Sequence, residues 1–242
     1  MTNPPASPEA LFAAVFAAQP SRPLVTYYDD RGGEWGELSA RSMANWVAKT
    51  YFMLTDALGL GVGDAAFIDL PAHWVSVPAL LGCWSAGLTL VSDPTDAAVA
   101  FVEPATLARA AGVPDVFAIA PGTAARGFGG EPPAGAEDFV LSVRPHPDAW
   151  GSVRFPAGPA DAALGTRGRR DVVADAEARA AEIGLAAGGR LLSNRAWHGP
   201  ADWLDTLLVP LAVGGSVVLV GNADPAKREH RLTQERATAV ID

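Results

Sequence analysis

Apolar positions along this chain alternate between a helical and a strand-like period. Leu11 and Val15 mark one face of a helix over P-E-A-L-F-A-A-V-F-A-A-Q, with Ser7 placed to cap it. P-L-V-T-Y-Y and E-W-G-E-L flank D-D-R-G-G, which predicts a β-hairpin with glycines in its turn. Ser39 caps a second helix, whose Met43, Trp46, Val47, Phe52 and Leu54 recur at roughly helical spacing. A glycine turn at 59–63 then leads into the strand A-A-F-I-D-L, followed by a helix over 73–87 and a strand over 88–92. A-V-A-F-V, V-F-A-I-A and F-V-L-S-V read as short strands, with a short helix near 104–111 among them. Gly/Pro-rich stretches occupy 121–137 and 145–160. Beyond them the pattern predicts helix 171–184, strand R-L-L-S, helix 200–213, strand S-V-V-L-V and helix 225–236. Strands alternating with helices of this length specify an α/β fold with mainly parallel sheets flanked by helices.

The pattern also repeats. G-L-G-V-G-D-A-A-F-I-D-L-P-A-H-W leads through a helix to S-A-G-L-T-L-V. G-L-A-A-G-G-R-L-L-S-N-R-A-W-H leads through another to A-V-G-G-S-V-V-L-V. Each copy holds a glycine turn, a strand, a His/Trp pair, a helix and a glycine-preceded strand. Two related βαβ sub-lobes are therefore expected within a single domain, 1–242, roughly at 1–145 and 160–242, with 145–160 as a mobile connection.

Composition narrows the function. The net charge is -9 and the pI about 4.9, which opposes nucleic-acid binding and attraction to anionic membranes. No formal charge falls between Leu70 and Ser92, long enough for a membrane span, yet Pro71, His73, Pro78, Gly82 and Gly87 interrupt it. A buried helix and strand is the better reading. The N-terminus lacks the basic and apolar regions of a signal peptide, and Cys83 is the sole cysteine, so a reducing, cytoplasmic location is expected. Lys49 and Lys227 are the only lysines among 18 lysine and arginine residues, leaving few amines for chemistry.

Few motifs carry chemistry. G-L-G-V-G at 59–63 follows a helix and precedes a strand, the reverse of a dinucleotide fingerprint. C-W-S-A-G around Ser85 lacks the first glycine of a nucleophile elbow. His73, His146, His198 and His230 show no metal-ligand spacing, so no metal site is assigned. His73 and His198 stand beside tryptophans at the C-terminal ends of strands, where open α/β sheets bind ligands. A-L-G-T-R-G-R-R-D, at 163–171, precedes a helical pattern as a phosphate-binding loop would, but it carries no lysine.

Taken in order, these segments resemble the N-terminal half of the large domain of adenylate-forming enzymes: acyl-CoA synthetases, peptide-synthetase adenylation domains and luciferases. The resemblance runs from about residue 24 to 240, with gaps at 93–160. It rests on E-L-S-A-R-S-M-A-N-W-V-A-K, G-V-G-D-A-A-F-I-D-L-P, G-C-W-S-A-G-L-T-L-V and P-L-A-V-G-G-S-V-V-L-V. It implies that Trp197 and His198 line an acyl pocket. It also places 163–171 on the family's phosphate loop, typically T-S-G-T-T-G-x-P-K. Gly165, Thr166 and Gly168 match that loop, Arg169 and Arg170 offer partial compensation for its lysine, and Asp171 opposes phosphate.

The family's adenine motif, acidic metal ligand, ribose-binding aspartate and mobile lid with its lysine have no counterpart here, and no catalytic residue is assigned. The resemblance thus implies a truncated, degenerate relative: a non-catalytic module that binds a small ligand, such as a carboxylate or nucleotide, or pairs with a protein or a second copy. The alternative is a residual ATP- or acyl-adenylate-binding subunit completed by another chain, with ATP or AMP as its nucleotide. A third is a purely structural protein, which predicts an occluded pocket around Thr166 and His198.

Overall fold

The computed structural model describes residues 4–120, 122 and 126–242. The first three residues and part of the expected Gly/Pro-rich loop at 121–137 lie outside them.

Ser7 Oγ accepts the Ala10 N–H at 3.4 Å and starts α1 (Pro8–Ala18). β1 (Pro23–Asp29) and β2 (Trp35–Ser39) form the expected hairpin. Ser39 Oγ then caps α2 (Ala40–Phe52), taking the Ser42 N–H at 3.1 Å. β3 (Ala65–Asp69), α3 (Ser76–Ala86) and β4 (Thr89–Val91) make the first parallel βαβ unit. Gly87 ends α3 with φ +95°, and a Cβ there would stand 2.8 Å from Val62, so glycine is required twice over. β5 (Val99–Val102), a 3₁₀ turn (Pro104–Ala110), β6 (Asp115–Ala118) and β7 (Glu137–Asp138) extend the sheet. α4 (Phe139–Val143) follows.

The second half opens with the hairpin β8 (Ala162–Leu164) and β9 (Arg167–Gly168) and continues into α5 (Arg169–Glu182). β10 (Arg190–Ser193) leads to α6 (Pro200–Trp203), a π turn at Leu204–Leu208, and α7 (Val209–Ala212). β11 (Ser216–Gly221), α8 (Arg228–Glu235) and β12 (Ala239–Ile241) complete the chain.

The strands form two sheets, mixed but mostly parallel, with helices on their faces. One is ordered β12-β10-β11-β1-β2 and the other β7-β6-β5-β3-β4-β8-β9. Among the described residues only β1–β2 and β8–β9 pair antiparallel. Both expected βαβ units are present, but the sheets do not divide at 145–160. β1 leaves the first half to pair with β11 from Val25↔Val217 to Asp29↔Gly221, while β8 joins β4. The connection itself is anchored, because the Trp150 ring meets Phe12 at 5.1 Å and Phe16 at 5.8 Å.

F-V-L-S-V is a helix, not a strand. Asp138 Oδ1 accepts the N–H groups of Val140 at 2.9 Å and Leu141 at 3.2 Å, and that cap turns the apolar run into α4. Its Phe139 packs edge-on against Phe101, which itself stacks on Phe117, so the helix gains one aromatic contact worth ~0.5–1.5 kcal/mol. The apolar segment 70–92 is the buried α3 and β4, and among the described residues no helix is long and apolar enough to cross a membrane.

Candidate functional site

Five parallel strands from the two sheets end on one cavity of about 760 Å³. β1 contributes Tyr27 and Asp29, β3 contributes Asp69 and the following turn to His73, and β5 is followed by Glu103, Thr106 and Arg109. From the other half, β10 leads into Asn194–His198, and β11 ends in Val220, Gly221 and Asn222. Carboxyl ends of strands in open α/β sheets are where ligands bind, since the loops there are free of the helical crossovers. The size falls within the range of about 300–1,000 Å³ usual for small-molecule sites.

His73 of the first echo and the Trp197–His198 pair of the second meet here, while Trp74 packs against Trp46 at 5.9 Å instead. His73 is 2% exposed; its Nδ1 accepts the Val75 N–H at 3.1 Å, so the proton sits on Nε2, 3.3 Å from Glu34 Oε2. Burial holds the His73 pKa below the ordinary value, against the opposing pull of Glu34. The Tyr27 ring packs at a 56° tilt with its centroid 4.2 Å from that of His73, and burial, with Asp29 and Glu34, raises the phenol's pKa. On the opposite wall Trp197 Nε1 donates to Thr206 Oγ1 at 2.7 Å, which fixes the indole. The His198 N–H donates to Asp202 Oδ2 at 2.8 Å and its exposed ring borders the opening. Trp197 and His198 thus lie together on the cavity, as His73 does across from them.

The loop at 163–171 is placed elsewhere. Gly165 and Thr166 form the exposed two-residue turn between β8 and β9, with Gly165 at φ +54°. Gly168 is the residue before α5, and Asp171 occupies that helix's first turn, where its charge already complements the helix dipole. Arg169 is fully buried. Its Nη1 binds Glu9 Oε2 at 2.6 Å and Trp84 O at 3.1 Å, and its Nη2 binds Leu88 O at 3.1 Å. Arg170 is exposed, and its backbone N–H is held by Pro159 O at 3.0 Å. None of Gly165, Thr166, Gly168, Arg169 and Arg170 borders the cavity.

Both lysines are committed to structure. Lys49 Nζ donates to the carbonyls of Arg144 at 3.1 Å and His146 at 2.6 Å, capping the end of α4. Lys227 Nζ lies 3.5 Å from Asp30 Oδ1. Among the described residues no group of three His, Cys, Asp or Glu side chains could hold a metal ion.

The chain is 38% identical over 247 residues to a TIGR03089 family protein of Mycobacterium tuberculosis, covering 100% of both. It belongs to that family. No protein-family model matches the chain. Among solved structures, the anthranilate CoA ligase AuaEII in complex with anthranoyl-AMP superposes with a TM-score of 0.74 at 15% identity, over 98% of this chain and 49% of that one. An acyl-CoA synthetase of Brucella canis gives 0.71 at 17%, over 97% and 46%. A fatty acyl CoA synthetase of Mycobacterium tuberculosis gives 0.71 at 14%, over 96% and 48%. This family member therefore has the α/β fold of the adenylate-forming enzymes and spans about half the length of the solved structures it matches. The residues that sequence reasoning missed are Asp69, Glu103 and Arg109, which stand at strand ends with no motif spacing to mark them.

Proposed function

We propose that this protein is a ligand-binding member of the adenylate-forming fold that does not itself adenylate a carboxylate. The observation that carries the reading is the cavity where β1, β3, β5, β10 and β11 end, with His73 of the first echo and Trp197 and His198 of the second on its walls. Transfer at an α-phosphate needs cations aimed at the transferred group. Lys49 and Lys227 hold backbone carbonyls and Asp30, Arg169 is sealed against Glu9, and Asp171 puts negative charge at the start of α5. The wall supplied by Trp197 and His198 is the part retained for a ligand.

ATP–pyrophosphate exchange with purified protein and a panel of carboxylic acids tests this. Background rates are expected with every acid, and exchange above background with any of them overturns the reading. A second reading, a subunit that binds ATP or acyl-adenylate and is completed by another chain, draws support from the half-length match to solved enzymes. Calorimetry with ATP, AMP and an acyl-AMP analogue separates the two, since only the second requires heat from a nucleotide.

A further inference from the structure

The charges around the cavity are not equally engaged. Five formally charged side chains line it: Asp29, Asp69, Glu103, Arg109 and Arg195. Arg109 Nη1 holds Asp69 Oδ2 at 2.6 Å, and its guanidinium lies over the Phe67 ring at 5.3 Å. Arg195 Nη1 holds Asp205 Oδ2 at 2.6 Å, outside the cavity wall. Asp29 Oδ1 accepts from the Arg31 N–H and from Asn222 Nδ2, both at 2.9 Å. Both cations are therefore neutralised, and two of the three anions are satisfied.

Glu103 is different. It is half-buried beside the Asp69–Arg109 pair, and among the described residues its carboxylate enters no hydrogen bond or ion pair. Burial, and then the charge of Asp69, hold its pKa above the ordinary value, so the site favours a cation beside it. Glu34, behind His73, adds a second negative centre whose Oε1 is occluded and has no partner. An anionic ligand would have to approach these carboxylates while drawing an arginine out of an existing pair. A cation would pair with Glu103 and disturb nothing.

The remaining wall suits the organic part of such a ligand. Tyr27, His73 and Trp197 present ring surface, and ring faces attract cations as well as apolar groups. We infer that the cavity binds a small organic cation, a primary amine on an aromatic or aliphatic body, with the Glu103 carboxylate as its counter-ion. This inference rests on the ligand-binding reading and gives it a chemical class, opposite in charge to a carboxylate or nucleotide.

The test uses the full chain and three probes at matched ionic strength: phenethylamine, phenylacetate and ATP. Saturation is followed by amide chemical shifts, with Asn194, His198 and Asn222 as reporters of the cavity. Phenethylamine is expected to saturate with shifts at those residues and to bind at least tenfold more tightly than phenylacetate. Glu103→Gln, nearly isosteric, is expected to weaken the amine at least tenfold with an unchanged melting temperature. Phenylacetate or ATP binding as tightly as the amine, or Glu103→Gln leaving amine affinity intact, overturns the cationic class and leaves a ligand site standing. Amine-induced shifts confined to other surfaces overturn it too. Saturation by none of the three probes sinks both the class and the ligand-binding reading.

Discussion

Arg169 and Glu9 lie 160 residues apart in sequence and 2.6 Å apart in space, with side chains 0% and 1% exposed. The pair ties α1 to the start of α5, and the same guanidinium closes two carbonyls at the end of α3. A buried ion pair contributes little net stability, but removing one partner strands the other charge. Arg169→Ala is therefore expected to cost ~3–5 kcal/mol in urea unfolding. Glu9→Met combined with Arg169→Met is expected to cost much less than the sum of the single changes. An Arg169→Ala variant as stable as the parent would contradict this account.

Lys49 has a structural task. Lys49→Met removes two carbonyl partners after α4 and should cost ~1 kcal/mol, read as a lower melting temperature. Exchange of pyrophosphate into ATP should stay at background in the parent and the variant alike.

Asp30 supplies a pH signature. Two bonds from Arg231, at 2.6 and 3.0 Å, lead the causes that lower its pKa from 3.8 to about 2. The folded state thus holds this proton less tightly than the unfolded chain. The resulting stability is fully present above the unfolded value and is lost as pH falls through the folded one. Unfolding free energy should drop by ~2 kcal/mol from this group between those two pH values. Asp30→Asn should remove that portion of the slope, measured as the difference between two urea-midpoint profiles.

Gly165 separates hairpin geometry from ligand binding. A Cβ would meet nothing within 4 Å, but φ is +54°, so Gly165→Ala should cost ~1 kcal/mol through backbone strain alone. Probe titrations at the cavity should be unchanged, because the hairpin is not part of its wall. A tenfold loss of affinity would place the hairpin back in the site.

Much of the architecture could be read from the chain, because Ser7, Ser39 and Gly87 act within a turn of their own helices. The βαβ echoes were legible for the same reason, and they led to Trp197 and His198. What escaped depends on distant partners. Arg169 reads as a phosphate ligand until Glu9 is brought to it, and β1 reads as part of the first half until β11 lies beside it. F-V-L-S-V reads as a strand because its composition suits one, and the cap from Asp138 outweighs that preference. Glu103 carries no motif, and only a carboxylate without a partner among the described residues sets it apart.

The pairing of β1 with β11 also sets an order of assembly. Val25 finds its neighbour Val217 only after almost all of the chain has left the ribosome. At about 5–20 residues per second, the first hairpin waits on the order of ten seconds or more with one edge open. During that interval Leu24, Val25 and Tyr27 have no permanent cover, so a chaperone or the adjacent α1 and α2 must shield them. Aggregation of stalled or shortened chains is the expected cost of pairing the first strand with one made near the end of the chain.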